Sequence, residues 1–349
     1  MRIAGVGSAL PKNYYSQDFL TLAMKKYWGG KLENPRFLDQ LHSRMGVDGR
    51  YLALPLEAYE KLDTWGQANT AWIEVALELG EEALTLALCR AGLAPRDLNA
   101  IFSVSVTGIA SPSLDARLVN AMSLSPNIKR IPIFGLGCVA GAAGIARAAD
   151  YARAYPGDCV ALLSVELCSL TMQRDDLSTA NLISAGLFGD GAAAVIITGS
   201  EIGSKGPRVR ATRSVFYPET EHVMGWDISE KGFQIVLSPE VPLMAERHLA
   251  GDVDAFLENL NLTRRDIGSW ILHTGGPKVL EAMASALQLA KEDLDASWEC
   301  LRRTGNLSSA SVLMVLEEVM LHKPPRPGTY SILAAMGPGF CSELVLLEW

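Results

Sequence analysis

At 349 residues, 49% of them hydrophobic, the chain is long enough for two packed cores instead of one small one. Its formal charge is -8 and no Lys/Arg-rich block interrupts the acidic balance, which disfavours a nucleic-acid or membrane-surface role. Six scattered cysteines (Cys89, Cys138, Cys159, Cys168, Cys300, Cys341), with no Cys-x-x-Cys pair and no histidine at ligand spacing, argue against a disulfide framework or a metal site.

In chain order, the N-terminal MRIAGVGSALP reads as a strand, because one arginine and no long apolar run do not make a signal peptide. The spacing predicts a helix over 72–91, followed by a short apolar strand that ends at Thr107-Gly108. IKRIPIF and CVALLSV are strands of the buried type. The uncharged stretch 131–146 contains Pro132 and is only 16 residues long, too short to span a bilayer, so a reducing cytoplasm is the expected compartment. Gly189-Asp190-Gly191 turns the chain into AAAVIITG, and a Gly, Ser and Lys-rich stretch at 199–206 marks a boundary between units 1–203 and 204–349. Beyond it, helices are predicted over 277–289 and 308–321, then the strand YSILAAM, and Gly337-Pro338-Gly339 before CSELVLLEW.

The halves repeat one another. Leu93-Ala-Pro-Arg96-Asp97-Leu98 recurs 169 residues later as Leu262-Thr-Arg-Arg265-Asp266-Ile267, each copy running into a strand that ends in Thr-Gly. Each half also closes with a Gly-x-Gly turn before an apolar strand. Two matches in the same order indicate a duplication, and alternating strands and helices make the architecture α/β, with two similar layered halves face to face.

Three residues stand out chemically. Cys138 lies in Gly135-Leu-Gly137-Cys138-Val-Ala-Gly141, where an apolar strand stops and an Ala-rich helix begins. A thiol in the first turn of a helix meets free N–H groups and the positive dipole end, which lower its pKa towards roughly 3.5–7.5. A buried core cysteine is the alternative. The 169-residue offset carries Cys138 to Leu307, next to Asn306 in Gly305-Asn306-Leu-Ser-Ser-Ala310. Asn306 also follows a glycine and opens a helix, so it is either a plain N-cap or an amide donor facing the thiol. His273 ends the strand Trp270-Ile271-Leu272 before Thr-Gly-Gly, a common site position, although a satisfied structural histidine fits too. His42, His222, His248 and His322 read as surface groups.

Taken together, Gly137-Cys138-Val-Ala-Gly141, Trp270-x-x-His273-x-Gly-Gly and Gly305-Asn306-Leu-Ser-Ser-Ala310 resemble the Cys-His-Asn motifs of the chalcone synthase-like, or type III polyketide synthase, family. Phe188-Gly189-Asp190-Gly191 and Gly337-Pro338-Gly339-Phe340 also match, and the motifs run in order over nearly the whole chain. The resemblance implies a thiolase fold, five-layered αβαβα from two duplicated halves, usually a homodimer, with no cofactor beyond coenzyme A thioesters as substrates. It gives Cys138 the acyl thioester. His273 would pair with its thiolate and, with Asn306, hold the thioester oxygen of malonyl-CoA while the enolate forms. Phe188 falls on a gatekeeper phenylalanine between the coenzyme A tunnel and the elongation cavity, and would otherwise be a core aromatic. Cys168 and Thr171 align with cavity-lining positions, and Ile235 falls near the second gatekeeper, with Phe233 two positions away. Of the basic residues expected at the coenzyme A mouth Arg44 aligns well, and Arg36 and Lys278 could compensate. Small or aliphatic residues at 168, 171 and 235 imply a fatty acyl-CoA starter. Met224-Gly-Trp-Asp227 is similar to bacterial members that make alkylpyrones or alkylresorcinols.

A β-ketoacyl-carrier-protein synthase III-like enzyme, with one condensation on the same fold, is the nearest alternative, and Phe188 with the Gly337-Pro338-Gly339 loop favours the polyketide reading. A papain-like protease would share the Cys-His-Asn order but not the duplicated halves. A non-catalytic scaffold of the same fold would not need the three motifs intact.

Overall fold

The computed structural model describes residues 1–32 and 34–349. Seven strands form in the first half: β1 (Arg2–Ala9), β2 (Asn13–Ser16), β3 (Gly49–Leu52), β4 (Ala100–Val104), β5 (Lys129–Ile133), β6 (Cys159–Leu167) and β7 (Asp190–Thr198). Six follow: β8 (Arg208–Phe216), β9 (Met224–Ser229), β10 (Gly232–Leu237), β11 (Ile267–Leu272), β12 (Tyr330–Gly337) and β13 (Cys341–Glu348).

Nine strands share one sheet in the order β11-β12-β13-β8-β1-β7-β6-β4-β5. Its two parts meet through a single pair, Arg2 opposite Arg208. On either side of that seam the pattern repeats. β1, β7 and β6 are successively antiparallel and β4 runs parallel to β6; β8, β13 and β12 are successively antiparallel and β11 runs parallel to β12. The duplication seen in sequence is therefore a duplication of sheet topology, and β5 has no counterpart.

Helices complete the layers. Trp65–Ala91 covers the outer face of the first part, where Ala83, Ala87 and Leu88 pack on Ile196 and Ala194. It starts seven residues before the sequence expectation because Thr64 and Gln67 form a capping box, and it ends at Gly92 in the left-handed conformation. Ala140–Ala154 and Ser311–His322 lie between the two parts and share one core with both. Val241–Glu258 and Pro277–Leu287 cover the far face of the second part. The five layers are those of the thiolase fold. Every residue of β6 and of β7 is buried, which is what sandwiching between two helical layers demands and why their sequences are apolar throughout. Among the described residues no helix is long and apolar enough to cross a membrane.

Candidate active site

The two helices of the middle layer bring the chemistry together. In the first half β5 leads to a 3-10 turn, Gly137–Val139, that feeds the helix Ala140–Ala154, and Cys138 sits in that turn, buried. In the second half the helix Asp295–Thr304 stops at Gly305, and Asn306 precedes the 3-10 turn Ser308–Ala310 and the helix Ser311–His322. The turns touch: the Cys138 thiol lies 3.8 Å from the Ser308 hydroxyl.

Asn306 is clamped. Its N–H donates to the Leu187 carbonyl at 2.9 Å, and its own carbonyl accepts from Gly189 N at 3.0 Å. Its Oδ1 accepts from Ser308 N at 2.8 Å and from the Ser311 hydroxyl at 3.3 Å, while Nδ2 has no hydrogen-bond partner among the described residues. Asn306 thus caps the following turn and still keeps a free, oriented donor. His273 follows β11; its backbone N–H bonds to Ala334 O at 3.0 Å, yet neither ring nitrogen has a partner although the residue is buried. Buried polar atoms are nearly always paired, so three unpaired ones around a buried thiol mark a site built for a substrate.

Burial sets the electrostatics. It pushes the Cys138 thiol up to about 12; the Ser308 hydroxyl and nearby Asn306 amide favour the anion, and the Glu166 carboxylate opposes it. The sequence expectation of a lowered thiol pKa is thus reversed in the resting protein, because the dry pocket outweighs the turn's N–H groups. Burial also pushes His273 down to about 4. Burial thus opposes charge on both the thiol and the imidazole. Glu166, buried behind them, accepts from Val106 N at 3.1 Å, Thr107 Oγ1 at 2.9 Å and Ser309 Oγ, tying β6 to the turn after Asn306.

Cys138, His273 and Phe188 line one cavity of about 520 Å³, together with Arg44 and Lys278. The Gly337-Pro338-Gly339 loop closes against the Cys138 turn: a Cβ on Gly137 would come within 2.8 Å of the Pro338 ring. The residues flanking that loop, Met336 and Phe340, line the cavity too.

Two family models match the chain. The N-terminal domain of chalcone and stilbene synthases matches residues 36–201 and their C-terminal domain residues 208–348. A 1,3,6,8-tetrahydroxynaphthalene synthase of Streptomyces peucetius subsp. caesius is 50% identical over 350 residues, 99% of this chain and 93% of that protein. A 3,5-dihydroxyphenylacetyl-CoA synthase of Amycolatopsis orientalis is 31% identical over 353 residues, 100% and 93% of the two chains. The crystal structure of the 1,3,6,8-tetrahydroxynaphthalene synthase of Streptomyces coelicolor A3(2), a bacterial type III polyketide synthase, superimposes with a TM-score of 0.95 at 29% identity, covering 100% of this chain and 99% of that one. The chain belongs to the chalcone and stilbene synthase family. It is a type III polyketide synthase, an acyltransferase that condenses malonyl-CoA.

Not every residue singled out in the synthase's sequence reaches the Cys138 cavity. Cys168 lines a second cavity of about 640 Å³ that shares Phe188 with the first. Thr171 donates its hydroxyl to Cys168 O at 2.8 Å, closing a 3-10 turn, and faces a polar pocket beside Trp65 and Gln173. Ile235 is half-buried on the β9–β10 hairpin, outside the main sheet, and lines none of these three cavities; Met224 and Leu237, paired at the hairpin's base, reach the Cys138 cavity instead. Phe233 is buried against Trp65, Phe134 and Trp226, away from Cys138.

His42 is not a surface group. It is buried, its Nδ1 2.9 Å from the Thr21 hydroxyl and its Nε2 3.1 Å from Leu182 O, because the helix Pro35–His42 turns its apolar side onto the helix Thr179–Leu187. His248 is half-buried and stacks on Tyr217, while His222 and His322 are exposed. Sequence reasoning also missed Ser308, on a turn with φ 47, and Arg50, wholly buried on β3. The Ser-Ser run after Asn306 was a usable signal for the first; nothing separates Arg50 from a surface arginine in sequence.

Proposed function

We propose that Cys138 carries the growing chain as a thioester, and that His273 and Asn306 polarise the malonyl-CoA thioester oxygen. The observation that carries this reading is the set of unpaired donors and acceptors on His273 and Asn306 beside the buried thiol of Cys138. In loading, His273 takes the thiol proton as the sulfur attacks the acyl-CoA carbonyl and coenzyme A leaves. In extension, the malonyl C–C bond breaks, CO2 departs with the electrons left as an enolate, and the enolate carbon attacks the acyl-Cys138 carbonyl. The thiolate is released and the chain, two carbons longer, stays on coenzyme A until it returns to Cys138. Arg44 and Lys278, lining the same cavity, supply positive charge for the coenzyme A phosphates. Phe188 divides the two cavities and serves as the gate.

For the product, the 50% identity over 99% of the chain supports a 1,3,6,8-tetrahydroxynaphthalene-type aromatic. The ten carbons of a naphthalene with oxygens at alternating positions require five two-carbon units and no alkyl starter, so malonyl-CoA alone supplies the skeleton. A second reading, a fatty acyl-CoA starter ending as an alkylpyrone or alkylresorcinol, is favoured by the cavity behind Phe188, whose walls include Phe19, Leu22, Met24 and Tyr27. Each buried methylene there is worth roughly 0.8 kcal/mol.

Mass spectrometry of products from malonyl-CoA alone, then with a panel of acyl-CoAs in competition, separates the two. An aromatic pentaketide from malonyl-CoA alone supports the first reading; alkyl products that suppress it support the second. Cys168→Phe, which fills the second cavity, would shorten the accepted chain under the second reading and leave the pentaketide unchanged under the first. We also expect a homodimer, since Ile109 and Phe134 stay about half exposed at 50% and 48%; light scattering at working concentration tests this.

A further inference from the structure

Arg50, on β3, is among the largest fully buried side chains, and nothing in the chemistry above uses it. Its Nη1 donates to the carbonyl of Ala185 at 2.6 Å and to that of Phe188 at 2.9 Å. These close the helix Thr179–Leu187, whose last carbonyls have no partner within the helix and whose dipole favours a cation there. Among the described residues Nε and Nη2 have no partner, so the polar action of Arg50 on its described neighbours passes through Nη1. Burial lowers the guanidinium to about 10, and the Asp190 carboxylate works against that shift, so the group stays charged at neutral pH. Asp190 is itself fixed by Ala53 N at 2.6 Å and Ser169 N at 2.8 Å.

The turn that Arg50 grips is the one that grips Asn306. Leu187 O accepts from Asn306 N and Gly189 N donates to Asn306 O, so that Phe188 and Asn306 form an isolated parallel bridge. From the other side Gly305 lies on the Arg50 stem, close enough that a Cβ would stand 3.2 Å from its Cγ and Cδ. Thus one side chain contacts both strands of the bridge that presents the amide and the gate.

We propose that Arg50 is a positioning residue for the condensation: by locking the 185–188 turn it fixes where the Asn306 Nδ2 and the Phe188 ring stand relative to Cys138. This rests on Asn306 acting as the oxyanion donor described above. Two groups separated by a single bridge transmit small shifts, and a misplacement of about 1 Å costs on the order of 10²-fold in rate.

The test uses Arg50→Met, which keeps an unbranched stem beside Gly305 and loses the fork, and Arg50→Lys, which returns a charge and one donor. Malonyl-CoA decarboxylation is measured per mole of folded protein, and loading as the mass of acyl-enzyme. Arg50→Met should lower the kcat of decarboxylation roughly 10–100-fold while KM and loading change less than about 3-fold, and Arg50→Lys should recover much of the loss. In an Asn306→Ala background Arg50→Met should add less than about 2-fold to the loss of decarboxylation, because the amide through which it acts on that step is gone and the Phe188 gate bears on the path of the chain instead. Parallel loss of loading and decarboxylation, or a full multiplication of the two losses in the double variant, would overturn the proposal. Normal decarboxylation in Asn306→Ala alone would instead overturn the role of Asn306. Should Arg50→Met not accumulate as folded protein, Arg50→Gln passes through the same cycle with the same deciding outcomes.

Discussion

The elbow at Gly137-Cys138 and the elbow at Gly305-Asn306 occupy matching places in the two halves, yet they are held very differently. Each follows a positive-φ glycine (54 and 72) and each leads into a helix of the middle layer. Asn306 is bonded through its N–H, its carbonyl and its Oδ1. Among the described residues the Cys138 side chain has the long contact to Ser308 and the nearby Asn306 amide. Duplication supplied two symmetrical positions, and the hydrogen bonding at the two differs. Under the proposed roles this difference is useful, since a nucleophile must change its bonding at every cycle whereas an oxyanion donor works because it does not move.

The sharpest way to break that division is to remove each group. Cys138→Ala should abolish product formation, a loss above about 10³-fold, with the melting temperature little changed since a buried cysteine behaves as a small apolar group. Product from that variant would end the assignment. Asn306→Ala should slow malonyl-CoA decarboxylation roughly 10²–10³-fold while acylation of Cys138 proceeds, because the donor acts on the enolate and not on the sulfur. His273→Ala should impair both steps. A variant of Asn306 that loses loading and decarboxylation equally would show that the two elbows are not specialised.

The glycines sharpen the comparison through stability. A Cβ at Gly305 would collide with the Leu187 carbonyl oxygen and crowd the Arg50 stem, whereas at Gly137 it meets the edge of the Pro338 ring. Both alanines also carry the left-handed φ, which costs about 1–2 kcal/mol. Gly305→Ala should therefore lose about 3 kcal/mol or more and Gly137→Ala about 2, read from denaturant midpoints. Equal losses would mean that the Pro338 loop is as rigid as the bridge.

What the sequence disclosed follows the same physics. The duplicated strand order and the middle-layer helices were legible, because strand periodicity, glycine turns and residue spacing are local signals; those signals left Cys138, His273 and Asn306 open between structural and functional readings, and only the family resemblance chose between them. The thiol's acidity was not, since it depends on how completely the second half dries the pocket. Thr171 and Ile235 were misplaced because alignment fixes a residue's element but not which of three adjoining cavities its side chain meets. His42 and Arg50 look like solvent-facing groups until the helices Pro35–His42 and Thr179–Leu187 close over them.

Those helices give the mildest prediction, a comparison of the two buried histidines. His42 in the first half and His273 in the second are both lowered to about 4, each by burial first, with Arg50 adding to the effect at His42 and Asp39 opposing it. An unfolded histidine titrates near 6.5, so between pH 6.5 and 4 the unfolded chain binds the extra proton and stability falls as the solution is acidified. Asp190 works the other way. Burial raises it to about 6, so it takes up a proton in the folded state first and offsets part of the loss as pH drops through 6. From pH 7.5 to 5.5 each histidine should cost about 1 kcal/mol and Asp190 should return a little less. His42→Gln, whose amide can still donate to the Leu182 carbonyl, removes one histidine from that balance and leaves Asp190 and His273 in place. Its denaturant midpoint should consequently fall less than the wild type's over the same interval, by about 1 kcal/mol in unfolding free energy. Identical pH slopes would mean that His42 takes up its proton in the folded protein where it does unfolded, with the Leu182 carbonyl and Asp39 cancelling burial and Arg50, and that the two halves treat their buried histidines unequally.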